Sequence, residues 1–377
     1  MARHGTLVAP IFIVAALVLS ACAATPAPAP TSPSPSSSPA PSETPERGPV
    51  QPAGDPVAIA SGLTSPWSIV RLDDGTVLIS ERDTGVIQRV AEDGSLSAIG
   101  TVPEVVHSGE GGLLGIAVLT TPGWRWLYAY ETTAGDNRIV RMTLDSDLAL
   151  GAPQVVLAGL AKAGNHNGGR IAFGPDGMLY ATVGDAAVPD RAQDVSSLNG
   201  KILRMTPSGR VPDDNPFPGS LVYSMGHRNP RGLAWDADGQ LWAAEFGQNT
   251  WDEFNRIEAG ANYGWPVVEG ASGQSGFVDP VLQWPTSDAS PSGLTYVDGT
   301  FFLAALRGTR VWALYPEEGR EPSAVAWFVG QFGRIRDVAP GPDGTLWFIS
   351  NNTDGRGDPI AGDDHLYQVR LVPLEEG

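Results

Sequence analysis

One cysteine, Cys22, stands in 377 residues, so no intrachain disulfide can form and none contributes to stability. Basic residues are scarce: 24 Lys plus Arg against 42 Asp plus Glu give a net charge of −18. That balance argues against a nucleic-acid partner and against charge-driven docking on anionic lipid. No convincing amphipathic helix of three turns appears anywhere. Long apolar runs are missing too. The one at Leu7 to Leu19 is too short and too early to read as a membrane span. Turn formers are abundant instead, with 46 Gly and 33 Pro, which suits a turn-rich all-β chain with an unstructured segment. Length alone would allow two or three domains.

The N-terminus reads as a targeting segment. Arg3 and His4 form a short basic region ahead of the apolar run, and Leu19-Ser20-Ala21-Cys22 resembles a bacterial lipobox. The expectation is a lipoprotein signal peptide over residues 1–21, cleaved before Cys22, which then carries lipid. An ordinary secretory signal with an incidental cysteine is the alternative, and in either case the mature protein is exported. Residues 22–55 are almost entirely Ala, Pro, Ser and Thr, without apolar periodicity. Such a stretch cannot bury a core and reads as a disordered, proline-stiffened tether. The folded part is expected over residues 56–373.

That part repeats. A short apolar run, a turn and a second apolar run recur six times. The turns are Asp74-Gly75, Pro122-Gly123, Asp176-Gly177, Asp238-Gly239, Asp298-Gly299 and Asp343-Gly344. Gly supplies the positive φ that a tight hairpin needs. The period of roughly 45–60 residues leaves room for four strands per unit, the range of propeller blades. The expected fold is all-β, a six-bladed β-propeller of four-stranded blades in one domain. A solenoid or stacked sandwiches would also fit regular repeats.

In a propeller the innermost strands run the same way along the channel, so the residues just before them gather at one mouth. Here those residues are Glu110, His166, Arg228 with Asn229, Asp288, and Arg334 with Arg336. The most informative stretch is Gly164-Asn165-His166-Asn167-Gly168-Gly169-Arg170. An imidazole there can serve as a general base near neutral pH, or it can merely cap a turn. Several arginines at one mouth of an acidic protein suit an anionic ligand held bidentately, or pairing with the protein's own carboxylates. A second constellation runs from Glu245-Phe246-Gly247-Gln248 through Asp252-Glu253 to Asn262-Tyr263-Gly264-Trp265. It offers hard oxygen donors that suit calcium, although the spacing is not an EF-hand and a polar loop network reads equally well.

Five motifs in order carry a resemblance: Gly-Glu-Gly-Gly-Leu-Leu-Gly (109–115), His-Asn-Gly-Gly-Arg (166–170), His-Arg-Asn-Pro-Arg-Gly (227–232), Glu253 to Tyr263-Gly264-Trp265, and Arg334-Ile335-Arg336-Asp337. Together, over about residues 57–373, they resemble the soluble dehydrogenases dependent on pyrroloquinoline quinone (PQQ), the glucose/sorbosone dehydrogenase family with its aldose sugar dehydrogenases. The resemblance implies PQQ over the channel mouth, with His166 as catalytic base and Arg228 and Asn229 on the quinone side. It implies Arg334 and Arg336 on the cofactor carboxylates, and Trp284 and Thr286 lining the pocket. It implies Ca²⁺ held by the carbonyls of Gly247 and Gln248, and a further calcium site at Glu253 and the Tyr263 carbonyl.

This chain departs from the glucose enzyme near the sugar. Glu110 and Asn165 replace a Gln and an Asp, Arg307 is the nearest match to a cofactor-binding Lys, and Val281 stands where a sugar-packing Tyr would be. The cofactor site stays plausible, with Glu110 and Arg307 beside it and Asn165 on the substrate side, but glucose itself is put in doubt. The implied activity is oxidation of aldose sugars or related aldehydes, with electrons passed to an exported acceptor. A calcium-dependent propeller lactonase and a non-catalytic propeller scaffold remain the rival readings.

Overall fold

The computed structural model describes residues 1–2, 48–316 and 321–374. The signal peptide beyond residue 2, Cys22 and the tether up to residue 47 lie outside the described residues. Where the tether was expected to continue to residue 55, a strand already runs: β1 spans Val50–Ser61. The reason is positional. β1 is the outermost strand of its sheet and pairs on one side only, with its register shifting between Ala53 and Val57. An edge strand tolerates prolines such as Pro52 and Pro56, whose missing N–H groups a central strand could not spare.

With β1 included, the strands fall into six four-stranded sheets. Blade 1 holds β2 (Pro66–Arg71), β3 (Val77–Glu81), β4 (Val86–Val90) and β5 (Leu96–Thr101). Blade 2 holds β6 (Leu113–Thr121), β7 (Trp124–Thr132), β8 (Asn137–Leu144) and β9 (Gln154–Leu160). Blade 3 holds β10 (Ile171–Phe173), β11 (Leu179–Val183), β12 (Lys201–Met205) and β13 (Val222–Met225). Blade 4 holds β14 (Pro230–Trp235), β15 (Leu241–Glu245), β16 (Trp251–Arg256) and β17 (Leu282–Pro285). Blade 5 holds β18 (Pro291–Val297), β19 (Thr300–Ala305), β20 (Arg310–Tyr315) and β21 (Ser323–Trp327). Blade 6 holds β22 (Ile335–Pro340), β23 (Thr345–Ser350), β24 (His365–Pro373) and, outermost, β1.

Each of the six turns read from the sequence joins the first strand of a blade to the second, and its glycine has φ between +70° and +85°. The first strands line the axis, where bulk is excluded. The Gly115 N–H donates to the Gly169 carbonyl of the next blade at 2.9 Å. A Cβ on Gly293 would lie 1.9 Å from Asp337 Oδ1.

The core sits between neighbouring blades. Tyr128 and Tyr130 of blade 2 pack with Leu179, Val183 and Leu203 of blade 3, and Phe302 and Tyr315 of blade 5 pack with Phe348 of blade 6. With no disulfide available, the ring closes through the antiparallel pairing of β1 with β24, from Val50 opposite Pro373 to Ser61 opposite His365.

Candidate active site

Every first strand runs from the same face, so the linkers that precede those strands meet there, together with the loops that follow the second strands. His166 sits in the linker ahead of β10 with φ +57°, a left-handed conformation that turns its side chain inward. Its Nδ1 lies 2.7 Å from Asp185 Oδ1. Asp185 is fully buried and also accepts the Ala187 N–H at 2.8 Å and the Trp265 Nε1–H at 2.9 Å. A carboxylate held this way fixes the hydrogen on His166 Nδ1 and leaves Nε2 as the basic nitrogen. Among the described residues Nε2 has no hydrogen-bond partner, and the side chain keeps 11% of its surface exposed.

Glu110 joins the predicted residues into one network. Its Oε2 accepts the His166 N–H at 2.9 Å, the Asn229 Nδ2–H at 3.5 Å and the Arg231 Nη2–H. Its Oε1 faces Arg356 Nη1 at 3.9 Å. Burial alone would raise this carboxyl, but Arg231, the His166 amide, Arg356 and the His166 ring outweigh it and hold the pKa at about 2. Glu110 is thus a fixed anion. Asn229 completes this corner by accepting the Gly168 N–H at 3.0 Å.

Across the mouth, Asp354 gathers the other arginines. Its Oδ2 takes Arg334 Nη2 at 3.2 Å and Arg336 Nη2 at 3.3 Å, its Oδ1 takes the Arg356 N–H, and its carbonyl takes Arg82 Nη2. Arg336 also grips Asn351 Oδ1 through two nitrogens. Burial lowers the Arg336 pKa well below its usual range; Asp354 opposes the shift, and Arg231, Arg82 and Arg334 add to it. Arg228 and Arg334 each keep a buried Nε with no partner. Arg82, Arg334 and Arg336 thus share Asp354, with Asp83 on Arg82 the one further carboxylate among the described residues, and this local excess of guanidinium suits an anion.

Arg228 lies over the Trp265 ring at 5.5 Å and donates Nη1 to the Gly247 carbonyl at 2.6 Å. Gly247, Glu253 and Tyr263 line one small void of about 10 Å³ with Glu245 and Glu269. The Glu253 oxygens accept the Gly270 N–H and Asn255 Nδ2–H, while Gln248 is exposed and donates its N–H to Glu269. Among the described residues no cluster of three or more His, Cys, Asp or Glu side chains converges on an ion.

Arg307 and Arg334 line a cleft of about 410 Å³ with Arg356 and Asn352. Asn165 is exposed beside His166, and Thr286 is half-buried just after β17. Trp284, expected at the pocket, packs in the core between blades 4 and 5 with its ring 5.5 Å from Trp312. Asp288, placed at the mouth by repeat register, lies in the linker ahead of β18, and its Oδ1 accepts the Ser287 hydroxyl at 3.0 Å.

Asp185, Asp354 and Arg356 escaped the sequence reading, and Arg231 and Trp265 stood inside quoted motifs without a role. A signal existed for two of them. The second strand of each blade returns to the mouth, so the polar residues that follow β11 (Asp185) and β23 (Asn351 to Asp354) had to arrive there. Below them Arg170, part of the histidine motif, is a brace. It forms a bidentate pair with Asp337, hydrogen-bonds Ser68, and covers the Trp67 ring at 4.5 Å.

The profile of the glucose/sorbosone dehydrogenases matches residues 63–362. The chain belongs to that family. It is similar to the PQQ-bound aldose sugar dehydrogenase of Streptomyces coelicolor, with 49% identity, 87% of this chain and 99% of that one covered, and a TM-score of 0.82. It is 30% identical over 334 residues to the aldose sugar dehydrogenase of Escherichia coli, covering 78% of this chain and 89% of that protein. It is 35% identical over 262 residues to quinoprotein glucose dehydrogenase B of Acinetobacter calcoaceticus, covering 59% of this chain and 54% of that protein. Membership places the chain among oxidoreductases that act on sugars.

Proposed function

We propose that this protein oxidises aldose sugars or related aldehydes at the channel mouth, with PQQ as cofactor and His166 as general base. The observation that carries the reading is the His166–Asp185 pair facing a mouth that holds surplus guanidinium charge. The residues present fit a polycarboxylate: Arg334 and Arg336 from one side and Arg228 with Asn229 from the other would hold it, and the cleft beside Arg334 extends to Arg307. Bound PQQ would supply the acceptor for the electron pair and hydrogen that leave the substrate carbon.

The protein's own part is proton transfer and positioning. His166 Nε2 takes the proton from the anomeric or hydrated-aldehyde hydroxyl as the C=O bond forms. Asp185 holds the ring in the productive tautomer and stabilises the imidazolium that results. Burial lowers the Arg228 pKa from its usual range while Asp185 and Glu245 oppose the shift, and its guanidinium places positive charge beside that chemistry. The substrate side is polar and open at Asn165. Glu110 is occupied by Arg231 and the His166 amide, so its role is to fix the histidine.

Calcium belongs to the same proposal. Burial, then the carboxylates of Glu245 and Glu269, push the Glu253 carboxyl up to about 7, and a divalent cation in the adjoining void would relieve that repulsion. The Gly247 carbonyl would have to exchange Arg228 for the ion. Export and a lipid on Cys22, with membrane attachment through that anchor alone and an exported electron acceptor, complete the reading; the lipobox-like Leu19-Ser20-Ala21-Cys22 supports it.

The deciding experiment mixes apo-protein with PQQ and Ca²⁺ and follows dye reduction with a panel of aldoses and aldehydes, beside lactone hydrolysis without PQQ. PQQ-dependent dye reduction is expected. Lactone hydrolysis in its place would move the protein to the hydrolase reading.

A further inference from the structure

Residues 226–229 link β13 to β14 and bring Arg228 and Asn229 to the mouth. What fixes that linker lies beneath it. Ser224 Oγ is 2.8 Å from His227 Nε2, and His227 Nδ1 is 2.8 Å from Glu245 Oε2. Glu245 Oε1 then accepts the backbone N–H of Arg228 and, at 3.1 Å, that of Asn229. The order of groups is that of a hydrolytic triad, but Ser224 and His227 have no exposed surface, so no substrate reaches them.

The directions of these bonds follow from the donors. Glu245 already accepts two N–H groups and takes a third hydrogen from the imidazole. The His227 hydrogen therefore sits on Nδ1, and Nε2 accepts the Ser224 hydroxyl. The ring is stacked on Tyr263 at 4.8 Å and 21°, which opposes rotation. On its other side the linker supports the catalytic pair: the Arg228 carbonyl accepts the Asp185 N–H at 2.9 Å. A shift of this linker therefore displaces Arg228 directly and His166 through Asp185.

We propose that His227 is a positioning residue: its Nδ1–H sets Glu245, Glu245 clamps the amides of Arg228 and Asn229, and the clamp holds the mouth in its working geometry. The activity part of the claim rests on the function proposed above; the clamp itself does not.

The test uses two variants that split the imidazole. His227→Asn keeps an N–H near the Nδ1 position, whereas His227→Gln moves it toward Nε2. Amide hydrogen exchange on apo-protein reads the clamp, and dye-reduction kinetics with a PQQ titration read its consequence. His227→Gln is expected to speed exchange at Arg228 and Asn229 about tenfold, the worth of one hydrogen bond to a charged group, with the outer strands unchanged. It should lower kcat by a similar factor and shift KM little. His227→Asn should restore both quantities to near wild type.

Equal losses in the two variants, or exchange raised evenly through the propeller, would reduce His227 to packing and overturn the proposal. If His227→Gln does not fold, Ser224→Ala decides, because it frees Nε2 and should loosen the same two amides; unchanged exchange there overturns the claim. If wild-type protein reduces no dye, the proposed function fails while the exchange measurement still judges the clamp.

Discussion

The two faces of this propeller use glycine for different reasons. On the face opposite the mouth, Gly75, Gly123 and Gly177 close tight turns at positive φ, and a Cβ added to any of them would meet no atom within 4 Å. There the backbone conformation alone demands glycine. At the mouth, a Cβ on Gly184 would lie 2.1 Å from the His166 carbonyl, and one on Gly168 would lie 2.5 Å from that of Thr182. There the demand comes from neighbours, joined at Gly168 by a φ of +65°. Positive φ outside glycine leans toward the mouth, at Ser65, His166, Ala186, Ala187, Ser290, Thr309 and Phe328, although Leu148, Asp298 and Asp343 carry it on the opposite face. One face stores the information for folding, while the other accepts cost to hold a site.

The largest expected effect removes the base. His166→Ala should lower kcat by about 10²–10⁴-fold, the usual worth of general base catalysis, while PQQ affinity measured by titration stays near wild type. A variant that turns over at the wild-type rate would dissolve the distinction between the faces.

Next comes the crowding at the mouth. Gly184→Ala should cost roughly 1–3 kcal/mol of stability through overpacking and should also depress kcat, since the displaced atom is the His166 carbonyl. A melting curve combined with steady-state kinetics checks both parts.

A pH test probes a buried carboxyl at the mouth end of β7. Burial, against Arg138 and with Glu104 and Asp136, pushes Glu131 from 4.5 up to about 7, and its Oε2 has no partner. The folded state therefore holds this proton more tightly than the unfolded chain. Its contribution to stability is lost as pH climbs from about 4.5 through about 7. At 1.36 kcal/mol per pKa unit, Glu131→Gln should stabilise by up to about 3 kcal/mol at pH 8 and by almost nothing near pH 4. Thermal melts at the two pH values decide it; equal shifts at both would place the effect in packing.

The smallest effect belongs to the opposite face. Gly177→Ala should cost roughly 1–2 kcal/mol from the left-handed backbone alone, with kcat and KM unchanged. If it also loses activity, the two faces are coupled more tightly than their separate glycine chemistry implies.

Local sequence was enough to place the blades. Asp-Gly and Pro-Gly turns between short apolar runs specify hairpins by backbone conformation, which needs no distant partner, and six of them in series suited a closed ring. The same periodicity brought Glu110, His166, Arg228, Asn229, Arg334 and Arg336 to one mouth, because residues at one offset in every repeat must share a face. Asp288 lies in the same set of linkers, while Trp284, implied at the pocket by the resemblance alone, packs in the core between blades 4 and 5. Composition drew the tether too long, because proline content cannot tell a free segment from an edge strand. Only the tertiary structure decided the partners. Asp185 reaches His166 from 19 residues away, Arg231 finds Glu110 across 121, and Arg170 spans 167 to Asp337. Pairings of this kind follow from ring closure and from the energy of burying charge, and neither is written in any local stretch of the chain.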